Sequence, residues 1–570
     1  MAVQPPPPPP PATATGTRRV DFDPVSRVAG ALAFHTQVDL DKREVLETAS
    51  LATLFRGYEV ILEGRDVRDA IFISSRACGV CGGAHATASA LACEMVFGVH
   101  PPPMGIVARN LLSATECLYD YPTHLFLRAG PDFSEATVRE TNPELWARAE
   151  TSAAPGFAEH GFERMADIMI GLNRKTGELY LEALRMARIA REAYVLTGGK
   201  FPHPQTIVPG GISSTIDPSD MNVALLRIVK FFDYGRKVVA VWDDLAAFFQ
   251  ETAPRFRELG AGPMNFLDLG LWDDPFAYDG TFENSAAWGQ ARWATPGAIV
   301  DGRLRTIELQ LIDAGVEEFV DHSHYDDWTG NGGPRVPTDA AGNRLSANHP
   351  WNKRTLPHPG DPGPRGGYSW STAARWQRHA METGAGARLF ATALAGQQPH
   401  HLLAEATGHS LRLSVPQATL PAGELEWHVP QQWNVFERHR ARAYACLHAA
   451  LVAYENLIIG YDLTRKSGED AKVFTPYTTP KGHLIGVGLW GSARGYLSHH
   501  MEIDGGVIQN YQIVGPSTFT ASPTDAFGTP GPIEQAVRNT PLLSSAQPER
   551  CIDILRTIRS FDPCMACATH

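Results

Sequence analysis

Two short cysteine pairs, separated by almost the whole chain, constrain this sequence more than any other feature. Cys78 and Cys81 lie in Arg76-Ala77-Cys78-Gly79-Val80-Cys81-Gly82-Gly83-Ala84-His85. Cys564 and Cys567 lie in Asp562-Pro563-Cys564-Met565-Ala566-Cys567-Ala568-Thr569-His570. Each C-x-x-C brings two sulfurs within reach of one metal ion. Two such pairs joined by folding make a four-thiolate site, which selects soft metals such as zinc, iron, nickel or copper. That site exists only once the whole chain has folded. If a helix begins near Cys78, then Cys78, Cys81 and His85 fall at i, i+3 and i+7 on one face. The C-terminal pair has a similar layout, with His570 three residues beyond Cys567. The plain alternative is structural zinc. Structural zinc sites draw their ligands from one small knuckle with short spacing, so a pair at each end of a large chain fits them poorly.

The remaining four of eight cysteines, Cys93, Cys117, Cys446 and Cys551, are too few for a disulfide framework in 570 residues and read as small buried hydrophobes. Apolar content of 43% and charged content of 20% are ordinary for a soluble globular protein. A net charge of −12 without a long basic stripe argues against a nucleic-acid partner. The longest apolar stretch, around Leu447 to Ile459, is broken by His448 and Glu455 and is too short to span a bilayer. No charged-then-apolar signal segment opens the chain. The expected location is therefore cytoplasmic, with any membrane association or export carried by partners.

Length alone suggests two or three domains, but the blocks interleave without an obvious linker. Residues 1–20 read as a dispensable tail, since Pro5 to Pro11 form polyproline II or disorder. Residues 21–570 read as one compact, helix-dominated α+β unit. Alternation in Ala31 to Asp39 predicts strands between Phe22 and about Arg65. Helix is predicted from near Cys81 to Thr197, most clearly over Phe162 to Leu196, then from about Asp220 to Phe256 and from about Asn434 to Asp462. Ala261 to Tyr368 is rich in Gly, Pro, Asp, Trp and Asn and predicts short strands and long loops. The last hundred residues read as loop-rich.

The motifs R-x-C-G-x-C-x-x-x-H and D-P-C-x-x-C-x-x-H are intact here, and other segments recur with them in order: Asp23-Pro24-Val25-Ser26-Arg27, Arg56-Gly57-Tyr58-Glu59, Gly199-Lys200-Phe201-Pro202-His203-Pro204, Tyr368-Ser369-Trp370, Met381-Glu382-Thr383-Gly384, Ala493-Arg494-Gly495 and Pro516-Ser517-Thr518. Together they resemble the large, catalytic subunit of nickel–iron hydrogenases across nearly the whole chain. The resemblance implies that family's fold, a central bundle of long helices with peripheral β-rich segments. It also implies oxidation of dihydrogen to protons and electrons. Nickel would be held by all four thiolates, with Cys78 and Cys564 terminal. Cys81 and Cys567 would bridge to an iron carrying two cyanides and one carbon monoxide. Cys564 would be the first base, and His85 would hydrogen-bond a bridging sulfur. Arg494 would hang over the open metal position, partnered by Asp120 and Asp562, because a buried guanidinium needs carboxylates. Ser517 would hydrogen-bond a cyanide. Glu59, the carbonyl of Ile513 and His570 would hold a magnesium ion.

The resemblance further implies a partner, an iron–sulfur small subunit, in a heterodimer and a higher oligomer of heterodimers, since this chain has no cysteine clusters left for electron relays. Family precursors continue past the histidine matched by His570, so the sequence corresponds to the processed form. The A-C-G-V-C-G-G-A-H-A-T form of the first motif, with Pro122-Thr123-His124-Leu125-Phe126, is most similar to the high-affinity uptake branch, which oxidises atmospheric hydrogen and tolerates oxygen. Two positions depart from the pattern. Ala29 stands where most of the family has a proton-carrying glutamate, and alanine cannot titrate. Gly515 stands where a valine commonly packs against the diatomic ligands, implying an iron pocket that is roomier or differently filled. The related respiratory complex one subunit loses the four cysteines, and a zinc-stabilised scaffold leaves Arg494 and its aspartates unexplained.

Overall fold

A three-stranded antiparallel sheet opens the computed structural model, which describes residues 16–330, 334–358, 366–397, 401–466 and 468–569. The proline run and His570 lie outside the described residues. The sheet is β1 (Thr17–Phe22), β2 (Leu32–Asp39) and β3 (Glu44–Ala52), in that order. Along β2, Leu32, Phe34, Thr36 and Val38 are buried and His35 and Gln37 are half-buried, the two-residue period of a strand with one covered face. Pairing begins at Thr17↔Asp39, inside the stretch read as a tail. The ladder to β2 gives residues 17–22 backbone partners that composition could not reveal.

Five longer helices follow: α1 (Gly82–Phe97), α2 (Pro103–Pro122), α3 (Glu178–Gly198), α4 (Lys230–Thr252) and α5 (Val435–Lys466). The predicted helix over 162–196 is two, Met165–Gly171 and α3, broken where Lys175 takes a left-handed φ of 68°. The one over 220–256 is likewise two, Pro218–Ile228 and α4, with a break at Val229. α5 packs on α2 and α4, and Asn110 donates to Asn456 Oδ1 across α2 and α5 at 3.0 Å. By length and composition α5 could cross a membrane, but 83% of its apolar window is buried inside the fold. It is a core helix.

The last hundred residues differ most from expectation. They contain a second antiparallel sheet, β4 (His483–Ser492), β5 (Gly495–Asp504) and β6 (Val507–Val514), and the helix α6 (Ile552–Ser560). The glycines that read as loop in β4 allow close approach. A Cβ on Gly488 would lie 1.7 Å from the Ala88 carbonyl oxygen of α1. The Ala-rich helix thus lies directly on the sheet and is buried almost all round. A large apolar core surrounds the helices. In a second cluster the covered face of the first sheet (Leu32, Phe34, Val38) meets Val537, Ile554 and Ile558 from the other end of the chain.

Candidate metal centre

The four motif sulfurs meet at the centre of the molecule. Cys78 Sγ is 2.7 Å from Cys81 Sγ and 3.4 Å from Cys564 Sγ, and Cys567 Sγ is 3.0 Å from Cys81 Sγ and 3.1 Å from Cys564 Sγ. All four cysteines are free and fully buried. A four-sulfur cluster of this kind, shielded from water, matches the donor set of a soft metal and not that of calcium or magnesium.

The local route to this cluster is a turn and not the expected helix face. α1 starts at Gly82 with Cys81 as its N-cap. Cys78 lies in the preceding turn, where the Val80 and Cys81 amides donate to its sulfur at 3.3 and 3.2 Å. Only His85 is inside the helix. Its Nδ1 faces His499 Nε2 of β5 at 3.0 Å, and His499 Nδ1 is 2.7 Å from the Tyr511 hydroxyl of β6.

The C-terminal pair is clamped from three sides. Met565 N donates to Ala29 O at 2.8 Å, and Ala29 N to Pro563 O at 3.2 Å. The methyl of Ala29 is buried beside this segment. Cys564 N donates to Ser517 Oγ at 2.8 Å. A Cβ on Gly515 would lie 1.8 Å from the Cys567 carbonyl oxygen, so the glycine is required by the backbone that crosses it. Contacts with the other three sulfurs, followed by the charge of Arg494, hold the Cys564 thiol well below its ordinary value. Burial pushes Cys81 and Cys567 well up.

Arg494 arrives from a tight hairpin. Ser492 pairs with Gly495, leaving Ala493 and Arg494 as the two-residue tip, and Ser492 Oγ accepts from Arg494 N at 3.2 Å. The guanidinium is buried. Its NH1 is 2.8 Å from Asp120 Oδ2, its NH2 donates to Asp120 Oδ1 at 2.9 Å and Asp562 Oδ1 at 3.2 Å, and Nε donates to the Asp562 carbonyl at 3.2 Å. Burial opposes the charge, but Asp120 and Asp562 carry the Arg494 pKa well above its ordinary value. Burial also acts to raise both carboxyls. Asp120 stays raised, whereas Asp562, facing Arg494 and then His124, ends well below the usual range. Asp562 is thus held as the anion beside Arg494.

Several supporting residues escaped the sequence. His124 Nδ1 and Arg128 NH1 reach Asp562 Oδ1 at 2.9 and 3.1 Å. Burial holds His124 down to about 4, so it is neutral. Arg388 donates to the Ser492 carbonyl at 2.6 Å and the Tyr121 hydroxyl at 3.2 Å while pairing with Asp268 at 3.3 Å, bracing the hairpin against α2. Arg27 and Arg559 share Asp132. An isolated arginine in a sequence is usually a surface charge, and only its distant partner shows otherwise.

The second expected metal site is partly assembled. Glu59 Oε1 accepts from Ile513 N at 2.9 Å, Thr355 donates to the same carboxylate, and Lys353 Nζ lies 3.5 Å from Glu59 and 3.0 Å from Glu318. Here the amide of Ile513, and not its carbonyl, touches Glu59, and a lysine cation faces that carboxylate. His570 falls outside the described residues.

Comparison with known proteins agrees with this geometry. Residues 56–155 and 173–570 match the family described as nickel-dependent hydrogenase. The actinobacterial-type NiFe-hydrogenase from Ralstonia eutropha H16 superposes with a TM-score of 0.92 at 38% identity, covering 97% of this chain and 100% of that one. The hydrogenase-1 large chain of Escherichia coli is 29% identical, covering 97% of this chain and 95% of its own length. The uptake hydrogenase large subunit of Rubrivivax gelatinosus is 28% identical with the same coverage.

Proposed function

The chain belongs to the nickel-dependent hydrogenase family, and from that premise we propose how its residues serve the oxidation of dihydrogen at a nickel–iron site. The observation that carries the reading is the closed quartet of Cys78, Cys81, Cys564 and Cys567, whose sulfurs lie within 4.8 Å of one another. Cys78, Cys81, Cys564 and Cys567 would hold the nickel–iron centre. When bound, such a centre supplies soft-metal Lewis acidity and the capacity to pass electrons on.

The chain's own groups do the rest. Cys564, whose thiol is held well below its ordinary value and so in the thiolate form, is the proposed first proton acceptor. Arg494 places a fixed positive charge over the open position, anchored by Asp120 and Asp562, where water is excluded and a charge acts strongly. Ser517 Oγ accepts from the Cys564 amide, leaving its hydroxyl proton to donate to a cyanide on iron. His85, whose Nδ1 faces His499, would hydrogen-bond a sulfur of the quartet. Glu59, the Ile513 carbonyl and His570 are the proposed magnesium ligands; Glu59 lies beside Ile513, and its contact there is with the amide.

The partner proposed is an iron–sulfur small subunit that takes the electrons, in a heterodimer that assembles further. Residues from β1 onward form one unit, and the protein is cytoplasmic, reaching a membrane only through partners. The likeness to an actinobacterial-type enzyme supports uptake of trace, atmospheric hydrogen and tolerance of oxygen. The test is infrared spectroscopy of the purified complex with nickel and iron quantified. One carbonyl and two cyanide bands that shift under hydrogen are expected. A blank spectrum with one zinc per chain would overturn the reading.

A further inference from the structure

Oxidising one dihydrogen releases two protons beneath a buried canopy, and the side chain beside Cys564, Ala29, cannot carry them. Along His124 the titratable groups run out. His124 stacks on His439 with centroids 5.7 Å apart. His439 ends against Trp242 at 4.6 Å and Phe133 at 5.9 Å. Among the described residues neither of its ring nitrogens has a hydrogen-bond partner.

The other side continues. Asp120 and Glu116 lie one turn apart on α2, at the spacing that stacks side chains on one face. Glu116 is buried and, among the described residues, forms no ion pair. Its Oε2 accepts from Gly83 N at 3.0 Å. A Cβ on Gly83 would meet Glu116 Oε2 at 2.3 Å and the Tyr194 hydroxyl at 2.6 Å, and one on Gly82 would meet His203 Nδ1 at 2.5 Å. Both glycines leave room for polar groups crowded around the first turn of α1. Tyr194 donates to the Pro202 carbonyl at 3.3 Å. Ser75 Oγ is 3.4 Å from His203 Nδ1, and His203 is only half-buried. Asp120, Glu116, Tyr194 and the half-buried His203 thus gather around the last turns of α2 and the first turn of α1, in that order from the canopy outward.

We propose that Glu116 is the proton relay of this enzyme, collecting protons from the Asp120 side of the canopy and passing them through Tyr194, Ser75 and His203 to solvent. The assignment rests on the hydrogen-oxidation reading. Of the two protons and two electrons from each dihydrogen, the electrons leave to the partner subunit. Each proton forms an O–H bond on the Glu116 carboxylate. That bond breaks as the Tyr194 oxygen accepts the proton. The phenol's own proton, which at rest faces the Pro202 carbonyl, turns toward His203, whose ring nitrogen accepts it and gives it to solvent, and the Glu116 carboxylate is restored. Burial and then repulsion by Asp120 push Glu116 up to about 8, against the Ala84 and Gly83 amides and Arg494. Burial followed by the Glu116 charge raises the Tyr194 phenol well above its ordinary value. A carboxyl poised near ambient pH both accepts and returns a proton readily.

Glu116→Gln in the purified complex tests this. In the wild type, a carboxylic-acid stretching band in the infrared should titrate near pH 8 and be missing from the variant. Hydrogen oxidation and exchange of deuterium gas with solvent protons should both fall at least about a hundredfold, with nickel, iron and the carbonyl and cyanide bands retained. Glu116→Asp should restore part of the rate. Wild-type turnover in Glu116→Gln, or loss of exchange in His439→Gln while Glu116→Gln stays active, would overturn the relay. If Glu116→Gln does not load metal, Tyr194→Phe removes the next station. Its exchange should slow about tenfold with metals bound, and an unchanged rate would count against the route. A wild type without metal bands sinks the hydrogenase reading itself, a result distinct from an active wild type matched by its variant.

Discussion

Arg494 grips two carboxylates because a two-residue turn fixes its backbone before its side chain is placed. Arg494→Lys keeps the charge but loses the planar fork, and a single ammonium cannot hold Asp120 and Asp562 in the same geometry. Hydrogen oxidation is expected to fall by roughly a hundredfold or more, with metal content and infrared bands intact. Arg494→Ala instead strands two buried carboxylates, and a loss of about 3–5 kcal/mol of stability is expected in thermal or denaturant unfolding. Glu116 carries a pH signature. Its folded pKa, about 8, lies above the unfolded value near 4.3. The stability it contributes is therefore full below about pH 4 and is lost as pH rises through about 8. Between those limits the wild type should lose roughly 1.4 kcal/mol per pH unit relative to Glu116→Gln, and parallel unfolding profiles would refute the raised pKa. Residue chemistry was largely legible in the sequence, since cysteines in C-x-x-C announce a soft-metal site. The roles of Glu116, Arg388 and His124 were not, because the groups that define them, Gly83 for Glu116, Asp268 for Arg388 and Asp562 for His124, lie on other elements of the chain.

Helix α1 and strand β4 decide whether the first cysteine pair is presented at all. Cys81 caps α1, and α1 rests on β4 with no side chain between Gly488 and the Ala88 carbonyl. Gly488→Ala puts a methyl 1.7 Å from that oxygen, and only a shift of α1 can relieve the clash. A stability loss of about 1–3 kcal/mol is expected together with reduced nickel loading, read by calorimetry and metal analysis. Full nickel occupancy in this variant would show that the cysteine turn tolerates movement of α1. The same glycines explain why the second sheet was misread as loop. Glycine weakens a strand in isolation, and here the cost is offset by burying α1 against the sheet. The break at Lys175 falls in the polar run Asn173-Arg174-Lys175-Thr176-Gly177, with apolar residues recurring at three and four on both sides, so periodicity ran two helices together.

The whole molecule is closed by its own ligands. Cys78 and Cys564 are 486 residues apart, and the second apolar cluster joins the opening strands to the final helices. A bound metal therefore locks both ends of the chain and stabilises only the folded state. Complex purified with nickel and iron should melt several degrees above complex made in nickel-starved cells, and equal melting points would mean the ends are held without the metal. The sequence by itself determined the donor set, the family resemblance and the amphipathic helices, because those depend on residue type and short-range spacing. Only the tertiary structure decided that Arg494 sits at a hairpin tip, that Gly515 and Gly488 make way for backbone, and that Asp120 and Glu116 gather with polar groups that end at the half-buried His203. Burial and charge pairing are set by what the fold brings alongside a residue, and no local stretch of sequence contains its distant neighbours.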